Sequence, residues 1–252
     1  SKGISFENVS YTYPETGIVA LLGLNFNLKP GKTIAITGRT GSGKSTAAQL
    51  CMRLMDPTSG EIKYGGVNLK DQPITDYKGR TGYVPQDVFL FSDTIESNIS
   101  FGRIDEVDSK AIEDAAKRSA VHADILELEN GYKTILGERG VNLSGGQKQR
   151  ISIARALLRN PDILILDDCL SAVDTKTEKH IITSLNEMHK SNPNTATLMV
   201  SHRISTIKHA DHIIIIDEGQ VVEQGTHEEL VKADGLYSDM NEQQLTKAEN
   251  ND

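Results

Sequence analysis

The feature that most constrains this chain is a glycine-rich loop between a strand-like run and a helical pattern. The loop reads Gly38-Arg39-Thr40-Gly41-Ser42-Gly43-Lys44-Ser45-Thr46 and matches the phosphate-binding pattern G-x-x-x-x-G-K-[S/T] in full. The run Thr33–Thr37 before it is rich in β-branched residues, and apolar residues recur at helical spacing behind it. Since strand, loop and helix follow in the order that the motif requires, the pattern indicates a site for a nucleoside triphosphate.

The residues of the loop have distinct chemical tasks in such a site. Glycines let successive N–H groups point inward at phosphate oxygens, and the positive end of the following helix adds to the attraction. Lys44 reaches the β- and γ-phosphates, Ser45 offers its hydroxyl to the Mg²⁺ that bridges them, and Thr46 supports the first helical turn. The alternative is a glycine- and serine-rich turn that contains a lysine by chance, and the flanking strand and helix disfavour it.

Length and charge narrow the class of protein. With 252 residues the chain can bury the core of one large α/β domain or of a domain with a smaller lobe. A net charge of −8 and a pI near 5.4 disfavour broad nucleic-acid binding. The longest apolar runs, such as 213–216, are far shorter than the roughly 20 residues that cross a bilayer. We expect Ser1 to begin a piece of a longer protein, and the two cysteines to be reduced in a cytosolic setting.

The order of the elements predicts the fold class. Residues 4–9 and 20–28 indicate an antiparallel opening sheet, and helical periodicity dominates from 94 to about 133. Strands and helices alternate after that, and the run 163–166 is apolar at consecutive positions, like a strand buried on both faces. We therefore predict an α/β P-loop NTPase core with a mainly parallel sheet, an N-terminal antiparallel β subdomain and an inserted helical subdomain.

The predicted domain spans residues 1–237, with the helical subdomain at about 87–160. The sequence after Tyr237 becomes polar, so we expect a frayed tail at 238–252.

Several side chains at predicted strand ends are candidates for the chemistry. Asp167 ends the buried run and is positioned to hold the shell of Mg²⁺, although a strand-end aspartate can also cap a helix. Asp168 follows it and can polarise an attacking water, and His202, after the next strand, either contacts a γ-phosphate or is structural. Gln86 either touches Mg²⁺ or water or is an ordinary loop residue, and Tyr13 is either a strand residue or a platform for a base.

A second helix start has the composition of an anion site. Ser144-Gly145-Gly146-Gln147 has the S-x-x-Q form of a capping box, and its two glycines bare the amide groups of a helix N-terminus. One chain thus carries two phosphate-binding helix ends. If they lie far apart in the fold, each meets the nucleotide held by another copy, and the nucleotide joins two subunits.

These motifs together resemble one protein family. Leu143-Ser144-Gly145-Gly146-Gln147, with the phosphate loop before it and 163–168 after it, resembles the nucleotide-binding domain of an ABC transporter, from about Phe6 to Tyr237. The resemblance implies ATP and Mg²⁺ as ligands, with ATP held between the phosphate loop of one domain and the signature (143–147) of a second nucleotide-binding domain. Closure of the two domains and hydrolysis would then drive a membrane part.

The resemblance also assigns roles by position. It implies that Tyr13 is the adenine-stacking aromatic, that Gln86 is the glutamine of the Q-loop, and that His202 is the switch histidine. Ser171-Ala172-Val173-Asp174 resembles the D-loop.

Two further stretches resemble the exporter branch of the family. They are Glu138-Arg139-Gly140 and Phe89-Leu90-Phe91-Ser92-Asp93-Thr94-Ile95. In that branch one chain usually joins a membrane-spanning domain to this domain, which would lie on the cytoplasmic face of the membrane. Phe89, Leu90 and Phe91 are then either a surface on which the membrane domain docks or part of the core.

The chain departs from the family pattern at Asp168. Members that hydrolyse well carry Glu there, and aspartate is one methylene shorter, so its carboxylate sits back from the water that it must orient. We therefore expect weak hydrolysis at this phosphate loop, as in the degenerate half of a heterodimeric exporter. The intact signature would complete the competent site of a partner chain.

Other functions fit parts of the sequence. A module that dimerises on ATP and barely hydrolyses it is compatible with Asp168. A soluble ABC-type ATPase acting on nucleic acid would need a long coiled-coil insertion or tandem domains, which this sequence lacks. The signature, and the absence of an N-K-x-D motif from the sequence, disfavour a P-loop kinase or GTPase.

Overall fold

Two β-sheets of different type organise the chain. The computed structural model describes residues 2–103, 105, 107–137 and 143–249. The strands are β1 (Ile4–Thr12), β2 (Val19–Leu28), β3 (Thr33–Thr37), β4 (Ser59–Tyr64), β5 (Val67–Asn68), β6 (Thr81–Val84), β7 (Ile163–Asp167), β8 (Ala196–Val200), β9 (His212–Asp217) and β10 (Gln220–Gly225).

The N-terminal sheet is antiparallel, as predicted. Its strand order is β2-β1-β4-β5, and the hairpin between β4 and β5 turns at Gly65 and Gly66. Buried and exposed side chains largely alternate along β2, which is typical of a strand with one covered face. The rings of Phe6 and Phe26 stack across β1 and β2 with centroids 4.3 Å apart. The predicted antiparallel β subdomain is therefore confirmed.

The second sheet forms the centre of the domain. Its order is β10-β9-β3-β8-β7-β6, and all neighbours are parallel except β9 and β10. Every residue of β7 and β8 is buried, as expected for strands of mainly apolar sequence that are covered on both faces. Because parallel strands end at the same edge, the segments after β3, β6, β7 and β8 meet there.

Helices cover this sheet and form a separate lobe. They are α1 (Lys44–Cys51), α2 (Ile74–Gly79), α3 (Ile95–Ser100), α4 (Ser109–Arg118), α5 (His122–Leu126), α6 (Gly145–Leu158), α7 (Thr175–Ser191), α8 (Ile204–Ile207), α9 (His227–Lys232) and α10 (Leu236–Glu249), with 3₁₀ turns at Leu69–Asp71 and Gly131–Lys133. Helices α3 to α6 share a hydrophobic cluster of their own, which includes Ile95, Ile112 and Ile151. The predicted helical subdomain is thus present, and its boundaries at 87 and 160 stay a prediction.

The expectation of a frayed tail after Tyr237 is wrong for the described residues. Helix α10 runs from Leu236 to Glu249, and Tyr237 is fully buried near its start. The Glu223 carboxylate accepts hydrogen bonds from the backbone N–H groups of Leu236 (2.5 Å) and Tyr237 (3.2 Å), which satisfies donors that a helix start leaves free. The polar sequence is also rich in good helix formers, so polarity alone was a poor guide to disorder.

Two sequence expectations fall partly or wholly outside the described residues. The exporter-like stretch Glu138-Arg139-Gly140 lies outside them, as do the last three residues, 250–252. Among the helices that the structure does describe, none combines the length and apolarity needed to cross a bilayer.

Burial in the central sheet predicts a large difference between two isoleucines. Ile165 lies in β7 with no exposed surface, whereas 68% of Ile135 is exposed. We expect Ile165→Ala to lower the free energy of unfolding by about 2–5 kcal/mol, because it removes buried methyl groups and leaves a cavity. The matched Ile135→Ala variant should change it by less than about 1 kcal/mol. Urea denaturation of both variants checks this, and equal losses would contradict the described packing of β7.

Candidate nucleotide site

The phosphate loop lies between β3 and α1 and runs against the backbone of two other strands. Gly38 has φ 141°, and a Cβ built on it would lie 1.9 Å from the carbonyl oxygen of Ile216 in β9. Gly43 has φ 103°, and its Cβ would lie 2.2 Å from the carbonyl oxygen of Ala20 in β2. Any side chain at these two positions would therefore push the loop off the sheet.

Lys44 is buried inside this loop. Its Nζ donates to the carbonyl oxygens of Gly38 (3.1 Å) and Arg39 (2.5 Å) and to Ser42 Oγ (3.4 Å). Burial lowers the pKa of Lys44 to about 8, although the charges of Asp168 and Asp167 act in the opposite direction. A polyanion in the loop would stabilise the charged form of this amine and raise its pKa again.

Asp167 lies beside the loop at the end of β7, and 2% of its surface is exposed. Its Oδ1 accepts a hydrogen bond from Ser45 Oγ at 3.0 Å, and its Oδ2 accepts one from the Tyr83 hydroxyl at 3.5 Å. Burial raises the pKa of Asp167, and the hydrogen bond from Ser45 partly offsets this. A hydroxyl and a poorly solvated carboxylate at this separation are the hard oxygen donors that Mg²⁺ prefers, so the residues fit that ion.

Asp168 and His202 lie near Lys44, since the charge of Asp168 acts on the lysine and the charge of the lysine acts on the imidazole. The backbone of Asp168 adopts the left-handed conformation with φ 44°, its N–H donates to Val200 O at 2.8 Å, and its carbonyl accepts from Ser171 Oγ at 2.9 Å. Aspartate is one of the few side chains that tolerate this conformation. Burial lowers the pKa of His202, as does the charge of Lys44, while Asp168 and a hydrogen bond to the Gly38 backbone raise it. The pKa of His202 thus lies below its ordinary value, which favours the neutral imidazole, and the ring lies close to the loop and to Asp168.

A cleft of about 360 Å³ opens over the loop. The predicted residues that line it are Tyr13, Thr40, Gly41, Gly43, Lys44, Ser45, Thr46, Gln86 and His202. The Tyr13 hydroxyl lies 3.0 Å from Thr46 Oγ1, and the ring meets Tyr11 edge-on at 5.1 Å between centroids. These contacts fix the Tyr13 ring in the lining of the cleft. The contact between Thr46 and Tyr13 was not predicted from the sequence.

Arg39 and Ser42 of the loop do not line the cleft. Arg39 points outward with 70% of its side chain exposed, and its guanidinium lies 3.9 Å from the Asp217 carboxylate. Ser42 is buried under the loop, where its carbonyl accepts from Gly219 N–H at 3.2 Å.

The signature residues lie outside this cleft. Ser144 caps α6, its Oγ accepting from Gln147 N–H at 3.2 Å while Gln147 Oε1 accepts from Ser144 N–H at 2.9 Å, so the predicted capping box is confirmed. Ser144 and Gly145 are exposed, and in the described part of the chain no residue of 144–147 lines the cleft. A Cβ on Gly146 would lie 2.9 Å from the Ala172 carbonyl oxygen, so α6 packs closely on the segment 171–174. The two predicted anion-binding helix ends are therefore separate within one chain.

The side chains that form hydrogen bonds to the start of α6 and to the segment 171–174 were not predicted from the sequence. Asp124 accepts from Gln147 Nε2 (3.0 Å) and from both terminal nitrogens of Arg150 (2.7 and 3.0 Å), which braces the start of α6. Arg203, next to His202, donates to the carbonyl oxygens of Ser171 (2.7 Å) and Val173 (3.0 Å). Arg203 follows the candidate residue His202 in the sequence, which is only a weak indication of its role. No local sequence pattern indicates a role for Asp124 or Tyr83.

The fold and the site together define a P-loop NTPase. Its phosphate and cation site is formed by a glycine loop after the buried strand β3, by the helix α1 that follows the loop, and by an aspartate at the end of β7, which is separated from β3 by β8. Comparison with known proteins identifies the branch of this class.

The chain belongs to the ABC transporter family, whose family model, described as ABC transporter, matches residues 7–171. The uncharacterized ABC transporter ATP-binding protein YfiB of Bacillus subtilis (strain 168) is 47% identical over 242 residues, which are 96% of this chain and 41% of that protein. The ATP-dependent lipid A-core flippase of Escherichia coli (strain K12) is 42% identical over 242 residues, again 96% of this chain and 41% of that protein.

A solved structure shows the same arrangement. The structure of a bacterial Atm1-family ABC exporter with ATP bound superposes with a TM-score of 0.91 at 40% identity, covering 96% of this chain and 42% of that one. The chain thus spans about two fifths of the length of these relatives. The predicted nucleotide-binding domain of an ABC transporter of exporter type and its predicted fold are thereby confirmed.

The two glycines Gly38 and Gly41 give a test of the loop geometry. Gly38→Ala brings Cβ against a backbone carbonyl, whereas Gly41 has φ 80° and no atom within 4 Å of its Cβ position. We expect Gly38→Ala to abolish binding of a fluorescent ATP analogue and to lower Tm by several degrees. Gly41→Ala should cost only about 1 kcal/mol of backbone strain. Similar Tm values for the two variants would show that the approach of Gly38 to β9 is not required.

Proposed function

We propose that this chain is the ATP-hydrolysing motor domain of an ABC exporter, which dimerises around ATP to drive substrate export. The observation that carries the proposal is the separation of the phosphate loop from the signature within one chain. Each is a helix start suited to phosphate, and the signature end is exposed. A nucleotide bound between the loop of one copy and Ser144, Gly145, Gly146 and Gln147 of another uses both ends at once.

The residues of the cleft have separate tasks in this proposal. Lys44 and the loop amides bind the phosphates, and Tyr13 stacks on the adenine. Ser45, Asp167 and Gln86 would hold Mg²⁺, which would neutralise the developing phosphate charge. Asp167 supports this assignment because its pKa is raised by burial, so that a nearby cation would favour its ionised form.

Asp168 and His202 are assigned to the chemical step. The Asp168 carboxylate orients and deprotonates the attacking water, and the neutral His202 contacts the γ-phosphate. The shorter carboxylate limits the first of these tasks, so hydrolysis at this loop is weak. The favoured partner is a different nucleotide-binding domain with its own glutamate, whose nucleotide the signature of this chain would cover.

The domain acts on the cytoplasmic face of a membrane, joined to a membrane-spanning domain. A row of three aromatic rings supports this part of the proposal. Phe89 (55% exposed) meets Phe91 edge-on at 5.0 Å between centroids, and Phe91 packs on Phe101 (52% exposed) at 4.3 Å. Leu90, between them in sequence, is fully buried, so only the phenylalanines are available to a docking partner.

A second candidate function is an ATP-gated dimerisation module with little hydrolysis, and Asp168 favours it. Measuring ATP-dependent dimerisation by light scattering beside phosphate release separates the two. Dimerisation without turnover, alone and with a partner domain, supports the module. The acidic net charge of −8 argues against an ABC-type ATPase that works on nucleic acid.

Asp168→Glu tests the limitation by carboxylate reach. We expect ATP turnover with the same partner to rise by about tenfold or more, because general-base catalysis depends on reach to the water. Asp168→Asn is the matched control and should lower turnover below that of the unmodified chain. Phosphate release at saturating ATP is the measurement. If Asp168→Glu is no faster than the unmodified chain, the shortened carboxylate is not the limitation.

Phe89→Asp tests docking of a membrane domain. A charge at the exposed ring should leave Tm unchanged but weaken co-purification with the membrane-spanning part and uncouple ATP turnover from transport. Val222→Asp is the control, since Val222 is similarly exposed (51%) on β10, at the opposite edge of the sheet from β6. Docking at Phe89 is excluded if only stability falls and coupling is retained in the folded fraction.

A further inference from the structure

One side chain of the C-terminal helix is bonded to the backbone on both sides of Arg203. Gln244 Nε2 donates to the carbonyl oxygen of His202 at 2.7 Å, and Gln244 Oε1 accepts from the N–H of Ile204 at 2.8 Å. A primary amide both donates and accepts, and only one orientation of the group satisfies these two partners. The pair of bonds therefore fixes the His202 carbonyl and the first N–H of α8 relative to α10.

The helix that carries Gln244 is itself anchored at its start. Glu223 accepts from the N–H groups of Leu236 and Tyr237, and the Tyr237 hydroxyl lies 2.8 Å from His227 Nδ1. Tyr237 is fully buried in the same hydrophobic cluster as Ile204 and Ile207 of α8. Gln244 thus projects from a support that is fixed to the body of the domain.

Two other elements bind the residues that flank His202 in the sequence. Ser201 N–H donates to Ile36 O of β3 at 3.2 Å, directly before the phosphate loop. Arg203 binds the carbonyl oxygens of Ser171 and Val173, and its charge is balanced by Glu178, which is 3% exposed and accepts from Arg203 at 3.0 Å. The neighbours of His202 are therefore held by β3 and by the segment 171–174, whereas the carbonyl of His202 itself is held by α10.

We propose that Gln244 is a positioning residue that aims the His202 imidazole at the phosphate loop from the C-terminal helix. The proposal rests on the role given to His202 under the proposed function. Without the two amide bonds, the His202 peptide can rotate, and the imidazole loses its set distance from the Gly38 backbone and from Lys44. The helix at 236–249 then contributes to the nucleotide site although it does not line the cleft.

The first measurement does not depend on hydrolysis. The imidazole of His202 is titrated by NMR in the full chain, with His202→Ala used to assign its signal. The charged groups that face it are Lys44 from α1 and Asp168 after β7. Burial and Lys44 lower the pKa of His202, so release of the ring from this setting should move its pKa upward, toward its ordinary value of about 6.5.

The variants separate positioning from folding. Gln244→Ala removes both bonds, and Gln244→Glu keeps the shape but replaces the donor to the His202 carbonyl by a carboxylate oxygen. Gln243→Ala is the matched control, because it removes the same atoms from an exposed site one residue earlier on α10. We expect the His202 pKa to rise in Gln244→Ala and to stay unchanged in Gln243→Ala. In Gln244→Glu the attraction of the new carboxylate adds to the rise, so Gln244→Ala decides. An unchanged His202 pKa in Gln244→Ala, or an equal shift in Gln243→Ala, overturns the proposal.

Turnover gives the second measurement. Gln244→Ala should lower kcat about fivefold with KM unchanged, as expected for the loss of two hydrogen bonds whose net contributions are small, and should add no further loss to His202→Ala. An equal loss in the His202→Ala background would mean a general structural effect and overturn the proposal. If His202→Ala itself leaves turnover unchanged while the Gln244 variants still shift the His202 pKa, the positioning contact stands and the catalytic role of His202 fails.

Discussion

The site depends on the register of three parallel strands. Ile36 of β3 pairs with Val200 of β8, and Val200 pairs with Asp167 of β7, so the three strands end level with one another. The phosphate loop, Asp167 and the segment that carries His202 therefore emerge side by side. A shift of one strand by a single residue would turn its side chains to the other face of the sheet and separate these groups. Burial of β7 and β8 on both faces holds this register.

The charged groups beside the cleft suit a ligand that consists of a polyanion and a cation. Lys44 is buried with backbone carbonyls around its ammonium group, and its pKa is lowered, while Asp167 is buried with a raised pKa. Each group is thus held in a setting that disfavours its own charge. A bound polyanion with its cation would relieve both, because phosphate favours the lysine cation and Mg²⁺ favours the carboxylate anion. This gives the ligand more binding energy than the same groups would provide in water.

Long-range contacts between polar side chains join the separate segments of the domain. Asp124 braces the signature helix through Gln147 and Arg150, and Arg203 ties the histidine segment to 171–174. Gln244 adds α10 to the same assembly. Since buried or half-buried polar groups are costly when unpaired, such contacts have few alternative partners and define one arrangement of the loops.

The sequence by itself determined the phosphate loop, the buried strands, the capping box at Ser144 and the family, because each is written in contiguous residues whose spacing reflects local backbone geometry. The prediction of a frayed tail after Tyr237 was wrong. The start of α10 is capped by Glu223, which lies 13 residues or more before the N–H groups that it binds, so no local pattern indicates this contact. Only the tertiary structure decided that Tyr83 meets Asp167, that Phe89 is exposed while Leu90 is buried, and that Gln244 holds the backbone of His202. The physical reason is that these side chains come together through the packing of elements distant in the chain, and neither periodicity nor local propensity records which of them meet.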